Sequence, residues 1–127
     1  MDSLERNKQN AMAFYALAFN EGQPSAAVER FVGDEYVQHN PRVMSGKKGF
    51  ITYFEQMARQ YQDKVVTFKR VVAEGDMVVL HTHQVWPGSD DYASIDIFRF
   101  TQDGKIVEHW DVLQVIPDEM VHDNGMF

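Results

Sequence analysis

Residues Ile95 to Leu113, IDIFRFTQDGKIVEHWDVL, read as a β-hairpin. An alternating run, Ile95 to Phe100, enters a turn at Thr101–Lys105, and a second run from Ile106 to Ile116 leaves it. Asp103-Gly104 suits a two-residue primed turn, whose central residues both need positive φ. With Asp103 and Gly104 as the loop, Gln102 pairs with Lys105, and the numbers of each opposed pair add to 207. Phe98 then faces His109 and Asp96 faces Asp111, with all four side chains on one face. The other face sets Ile97 against Trp110 and Arg99 against Glu108, an opposite-charge pair that favours this register. A four-residue loop would keep the same sum, and a three- or five-residue loop would break it. Opposed Cβ atoms lie about 4.5–5.5 Å apart. Two carboxylates at that separation cannot both ionise cheaply, so the face is a candidate acid–base site. Phe98, Phe100, Val107, Leu113 and Val115 share it, which points to a cavity more than to solvent.

The 127 residues suffice for one domain with a core and are too few for two. Nine Phe, five Tyr and two Trp supply large apolar surfaces. The formal charge of −7, with scattered Lys and Arg, argues against nucleic acid or an anionic membrane as partner. Without cysteine there is no disulfide, thiolate metal site or cysteine nucleophile. The N-terminal MDSLERNKQN lacks the apolar core of a signal peptide, and no run reaches the length of a membrane span. A cytoplasmic protein is expected.

Along the chain, Ser3 can cap a first helix reaching about Asn20, with Leu4, Ala11, Phe14, Tyr15, Leu17, Ala18 and Phe19 at helical spacing. Asn20-Glu21-Gly22 is a stop signal. Pro24 opens a short second helix to about Val32, and Gly33-Asp34 breaks it. Tyr36–Asn40 is a short extended segment ending at Pro41. A third helix is expected from about Lys48 to Gln62, with Phe50, Phe54, Met57, Ala58 and Tyr61 on one stripe. Strands follow over Val65–Val72, Met77–Trp86 and Tyr92–Phe100, and then the second arm of the opening hairpin. Asp118–Met120 could form a helical turn. Helices followed by strands define an α+β fold, with the helices over one face of a curved sheet. The second face carries Ile95, Ile97, Trp110 and Val112, which suggests a subunit interface.

Several residues could carry chemistry. His109 and Asp111 lie two apart on a strand and share a face, as a base with its partner or as an acid with a base. Asp96, flanked by isoleucines and opposite Asp111, is expected to be protonated and able to donate a hydrogen bond to an oxyanion. Tyr15 lies in the apolar stripe of the first helix, where a buried hydroxyl needs a polar partner. His39-Asn40-Pro41 reads as turn residues or as the rim of a pocket. His81 and His83 share a face and, with His109 and a carboxylate, would suit a divalent metal. No Gly-rich phosphate loop or GxSxG elbow is present.

These segments resemble SnoaL-like proteins of the nuclear transport factor 2-like (ketosteroid isomerase-like) superfamily. The most specific pieces are Ile95-Asp-Ile-Phe-Arg-Phe100 and Asp103-Gly-Lys-Ile-Val-Glu-His-Trp-Asp111. Tyr36-Val-Gln-His-Asn-Pro41, Ala73-Glu-Gly-Asp76 and Asn124-Gly-Met-Phe127 support them. The resemblance implies a cone: a strongly curved mixed sheet wrapped around three N-terminal helices, with a deep apolar cavity and dimerisation through the sheet face. By the same resemblance Tyr15 and Asp96 correspond to an oxyanion hole. The position of the isomerases' general base, an Asp before a Pro, is Asn40 here. His39, His109 or Asp111 would then supply the base, and Asp111 fits the acid–base Asp of the cofactor-free aldol cyclases.

The resulting expectation is a cofactor-free enzyme, with no bound metal, that enolises a small hydrophobic carbonyl compound in an aldol-type cyclisation or an isomerisation. Asp111 and His109 would move protons, and Asp96 and Tyr15 would stabilise the enolate. His39, Asn40, Phe98, Phe54 and Trp86 would contact the ligand. Two alternatives are a non-catalytic binding module of the same fold and a metal-dependent enzyme using His81, His83 or His109.

Overall fold

A computed structural model describes residues 2–127. Helix α1 spans Ser3–Tyr15. Its cap is Asp2 and not Ser3: the Asp2 carboxylate accepts the Glu5 N–H at 2.8 Å, which satisfies one of the free donors of the first turn. The helix does not run on evenly to Asn20, because Ala16–Asn20 forms a wider π-helical turn directly after Tyr15. Helix α2 covers Pro24–Phe31, with the proline in its first turn, where its missing N–H costs nothing. Helix α3 covers Lys47–Gln60.

The strands are β1 (Val32–Gln38), β2 (Val65–Glu74), β3 (Met77–Val85), β4 (Asp91–Phe100) and β5 (Ile106–Val115). They form one sheet in the order β1-β5-β4-β3-β2. β1 runs parallel to β5, and the other pairs are antiparallel, so the sheet is mixed. Gly33 and Asp34, expected to break α2, lie inside β1. Asp118–Met120 forms no helical turn.

The hairpin reaches the expected register by a different route. Pairs from Tyr92↔Val115 to Arg99↔Glu108 follow the 207 sum, but Phe100 pairs with Ile106. The turn is not the two-residue primed type, because Asp103 lacks positive φ and only Gly104 adopts it, at 89°. Thr101 C=O accepts the Gly104 N–H at 3.0 Å, and the Thr101 N–H reaches Lys105 C=O at 2.8 Å. Gln102-Asp103-Gly104 is thus a three-residue loop, whose register sums to 206. Val107 is the extra residue of a bulge that restores 207. Ile106 and Val107 are consecutive and both buried.

The core lies between the helices and the concave face of the sheet. Phe14 of α1 stacks on Phe50 of α3 with ring centroids 4.9 Å apart, and meets the Phe98 edge at 5.8 Å. Val78, Leu80, Thr82, Gln84 and Trp86 are all buried, the alternation of a strand with one face inward. Two of those five side chains are polar, which marks where the core gives way to a site. Among the described residues, no helix is long and apolar enough to cross a membrane.

Candidate functional site

The hairpin, the end of β1 and α1 meet around His109. Asp96 and His109 are buried, and their carboxylate Oδ1 and imidazole Nε2 lie 2.9 Å apart. The Tyr15 hydroxyl donates to the same oxygen at 2.9 Å, and Ser94 Oγ donates to Oδ2 at 2.9 Å. The π-helical turn after Tyr15 is a local distortion of the kind often found at such sites. Burial, reinforced by the Asp96 charge, raises the Tyr15 phenol well above its ordinary pKa, so it stays a donor.

Asp111 occupies the opposite position on β5. Its side chain is 5% exposed, and its Oδ2 lies 3.8 Å from His109 Nε2. Asn40 Nδ2 donates to both carboxylate oxygens, at 2.9 and 3.1 Å. Asn40 is itself fixed, because its Oδ1 accepts the Arg42 N–H at 2.9 Å in a turn that its own side chain closes. Burial raises the Asp111 pKa; the His109 charge and the Asn40 hydrogen bond oppose the shift, and the Asp96 charge adds to it. The two facing carboxylates therefore differ in kind. Asp96 is sealed, with donors in Tyr15 and Ser94 and the His109 ring as a third partner, whereas Asp111 borders open space.

That space has two adjoining parts. An inner cavity of about 40 Å³ is lined by Tyr15, Gln38, Gln84, His109, Phe54 and other side chains. Its volume holds a few waters or a carbonyl group. An outer groove of about 750 Å³ runs between α3 and the end of the hairpin, past Arg42, Met57, Tyr61 and Tyr92. This is the size range of sites for drug-sized ligands. Asn40, Tyr53, Trp86, Asp111 and Leu113 line both parts. The space is thus a small chamber with mostly aromatic and aliphatic walls and a few polar groups, behind a larger groove of mixed lining that includes Tyr53, Tyr61, Trp86 and Tyr92.

Tyr15, His109, Asp111, Asn40, Phe54 and Trp86 come together at this chamber. Asp96 does not line it. It reaches the space through Tyr15 and His109, and with both oxygens already accepting hydrogen bonds it is not placed to donate one to a ligand. Phe98 lies beneath His109, with centroids 4.8 Å apart, and is fully covered. His39 points the other way. It stacks on Trp110 at 4.9 Å and pairs with Glu108 at 2.7 Å on the outer face, because Gln38 and Asn40 take the inward positions on either side of it. Hydrogen bonds from His39 and Arg99 lower the Glu108 pKa. His81 and His83 also lie on the outer face, covered by Phe127 at 5.3 and 5.0 Å, and form no cluster with His109. The histidine metal site expected as an alternative is not assembled. Asp96, His109 and Asp111 do offer one ligand atom each within 4.8 Å of one another. The Asp96 and Asp111 oxygens there also accept hydrogen bonds from Tyr15, Ser94 and Asn40.

Sequence reasoning missed Gln38, Gln84, Tyr53 and Ser94. A signal for the first two was present. Tyr36, Gln38 and Asn40 alternate, as do Thr82, Gln84 and Trp86, so the amides share a face with core aromatics.

The SnoaL-like domain family matches residues 11–109. The chain belongs to that family, and the sealed Asp96–His109 pair with Asp111 is the constellation that its fold brings together here. Among solved structures, TsrD from Streptomyces laurentii is 26% identical with a TM-score of 0.70, over 84% of this chain and 87% of TsrD. AclR from Streptomyces galilaeus, described as a candidate hydroxylase, is 20% identical with a TM-score of 0.72, over 87% of this chain and 90% of AclR. A candidate polyketide cyclase from Acidithiobacillus ferrooxidans is 16% identical with a TM-score of 0.74, over 89% of this chain and 91% of that protein. The last two likenesses bear on the fold alone. No curated protein sequence matches this chain significantly.

Proposed function

We propose that the protein enolises a small hydrophobic carbonyl compound by acid–base catalysis, without a cofactor, as the first step of an aldol-type cyclisation or an isomerisation. The observation that carries this reading is the inequality of the facing carboxylates. Asp111, at the seam between chamber and groove, has a pKa raised by burial and an open side, which suits a general base. The carbonyl oxygen of a ligand lying in the groove would enter the chamber, where the His109 and Tyr15 side chains lie. Developing negative charge there would lie beside the His109 ring, and the Tyr15 O–H would have to turn from Asp96 to donate to it. The aromatic side chains of the groove wall, Tyr53, Tyr61, Trp86 and Tyr92, are consistent with a flat apolar substrate.

The test is α-hydrogen exchange into heavy water, followed by NMR, across a panel of aryl ketones and β-dicarbonyl compounds. Wild type is expected to accelerate exchange for at least one compound, and Asp111→Asn to lose about 100-fold or more of that rate. Undiminished exchange in the variant would remove Asp111 as the base. Saturable binding of panel members with no exchange would assign the pocket to ligand holding, the reading that the Asn40 clamp on Asp111 otherwise favours.

A further inference from the structure

Gln38 lies at the end of β1 and lines the inner chamber. Its side-chain oxygen accepts the backbone N–H of His39 at 3.0 Å and of Asn40 at 3.0 Å. The His39 N–H is shared with the His109 C=O at 3.0 Å, while the Asn40 N–H fixes which end of the amide is the oxygen, since the amide nitrogen would clash with it. The same oxygen lies 2.7 Å from His109 Nδ1. Nδ1 must therefore carry a proton. On the far side of the ring, Nε2 faces the Asp96 oxygen that also accepts from Tyr15. With Asp96 ionised, an imidazole between these two acceptors holds both protons.

We propose that Gln38 is a positioning residue that keeps His109 doubly protonated, so that His109 neutralises Asp96 and leaves Asp111 as the free carboxylate. The assignment of Asp111 as base rests on the reading above; the protonation of His109 does not. The ionisable groups facing the ring are Asp96 from β4, Asp111 from β5, Tyr36 from β1 and Tyr15 from α1. Both tyrosines have pKa values raised well above the ordinary range by burial, so neither competes for charge near neutrality. If Nδ1 lost its acceptor, an N–H there would be buried without a partner, which disfavours keeping it. Asp96 would then stand uncompensated beside Asp111, and the two carboxylates would repel.

The test is imidazole nitrogen NMR of the full chain, with activity measured separately. Wild type should show His109 protonated at both nitrogens near neutral pH, and Gln38→Glu, which keeps an oxygen at that position, should retain this signature. Gln38→Met should lose the Nδ1–H signal, and the acid limb of its exchange-rate profile should move to higher pH. If Gln38 only supported the backbone of residues 39–40, Gln38→Met would shift those amide signals and leave the ring doubly protonated, which would overturn the proposal. A wild-type ring bare at Nδ1 would overturn it without any variant, even if Gln38→Met failed to fold. Loss of exchange activity in no variant, with the ring signature as expected, would count against the catalytic reading and leave the role of Gln38 standing.

Discussion

At the scale of single residues, the site separates two carboxylates that the hairpin sets face to face. Asp96 has three hydrogen-bond partners and no open side, while Asp111 has one amide and a groove. The raised Asp111 pKa fixes the sign of two effects. As a base Asp111 must be ionised, so the rate should rise with pH through its raised pKa. Asn40→Leu removes a hydrogen bond that pulls that pKa down, so its acid limb should lie at higher pH than wild type. A pH–rate profile that moves the other way would discard the Asn40 clamp. The same shift acts on stability with opposite sense. A carboxyl whose folded-state pKa lies above its unfolded value stabilises fully below the unfolded value, and that contribution is lost as pH rises through the folded one. Thermal unfolding should therefore show Asp111→Asn gaining on wild type as pH increases from acid to neutral, at the cost of activity. At Asp96, truncation to alanine would leave His109 buried beside no charge and should cost about 3–5 kcal/mol in denaturant unfolding. A loss well under that would mean that water replaces the carboxylate.

At the scale of elements, the segment joining β1 to α3 holds Asn40 and is shaped by close packing. Gly46 N–H bonds Tyr36 C=O at 2.8 Å, and Ser45 Oγ accepts the Gln38 N–H at 3.2 Å. Gly49, in the first turn of α3, has the Met44 carbonyl where a Cβ would sit, and backbone cannot swing aside as a side-chain tip can. Gly49→Ala should destabilise by about 1–3 kcal/mol and displace the loop that carries Asn40. Exchange activity and unfolding would then fall together, and an unchanged unfolding midpoint would refute the packing argument. The hairpin shows what the sequence could and could not reveal at this scale. Its register was legible, because alternating apolar residues and the Arg99–Glu108 pair, joined at 2.8 Å, leave one arrangement with a buried face. The loop was not, because a three-residue turn plus the bulge at Val107 gives the same register as a two-residue turn. The inward placement of Gln38 was readable from its alternation with Tyr36. The outward turn of His39 follows from the same alternation, but the parallel pairing of β1 with β5 carries no local signal, and without it the contact of Gln38 with His109 could not be found.

At the scale of the whole molecule, one face of the sheet is closed by helices and the other is not. The outer face exposes Val72 at 58% and Ile95 at 40% of their surfaces, with Met77 also accessible. Val79, Ile97 and Trp110 lie in register across three neighbouring strands beside them. A contiguous apolar stripe on a sheet without helices is the kind of surface that monomers rarely leave in water. A second copy of the chain packing face to face is the proposed cover. A symmetric pair needs the same patch on both partners, which a sheet face supplies without further specialisation. Ile95 is central to the stripe, opposed to His81 on one side and Val112 on the other, and it lines neither the chamber nor the groove. Ile95→Lys would place two ammonium groups near each other at the interface while leaving the concave face untouched. Sedimentation equilibrium at micromolar concentration should find wild type as a dimer and Ile95→Lys as a folded monomer, with the chamber residues still in place. A wild-type monomer would reject the interface. A variant that stays dimeric would move the contact away from Ile95, because an uncompensated charge buried there costs several kcal/mol.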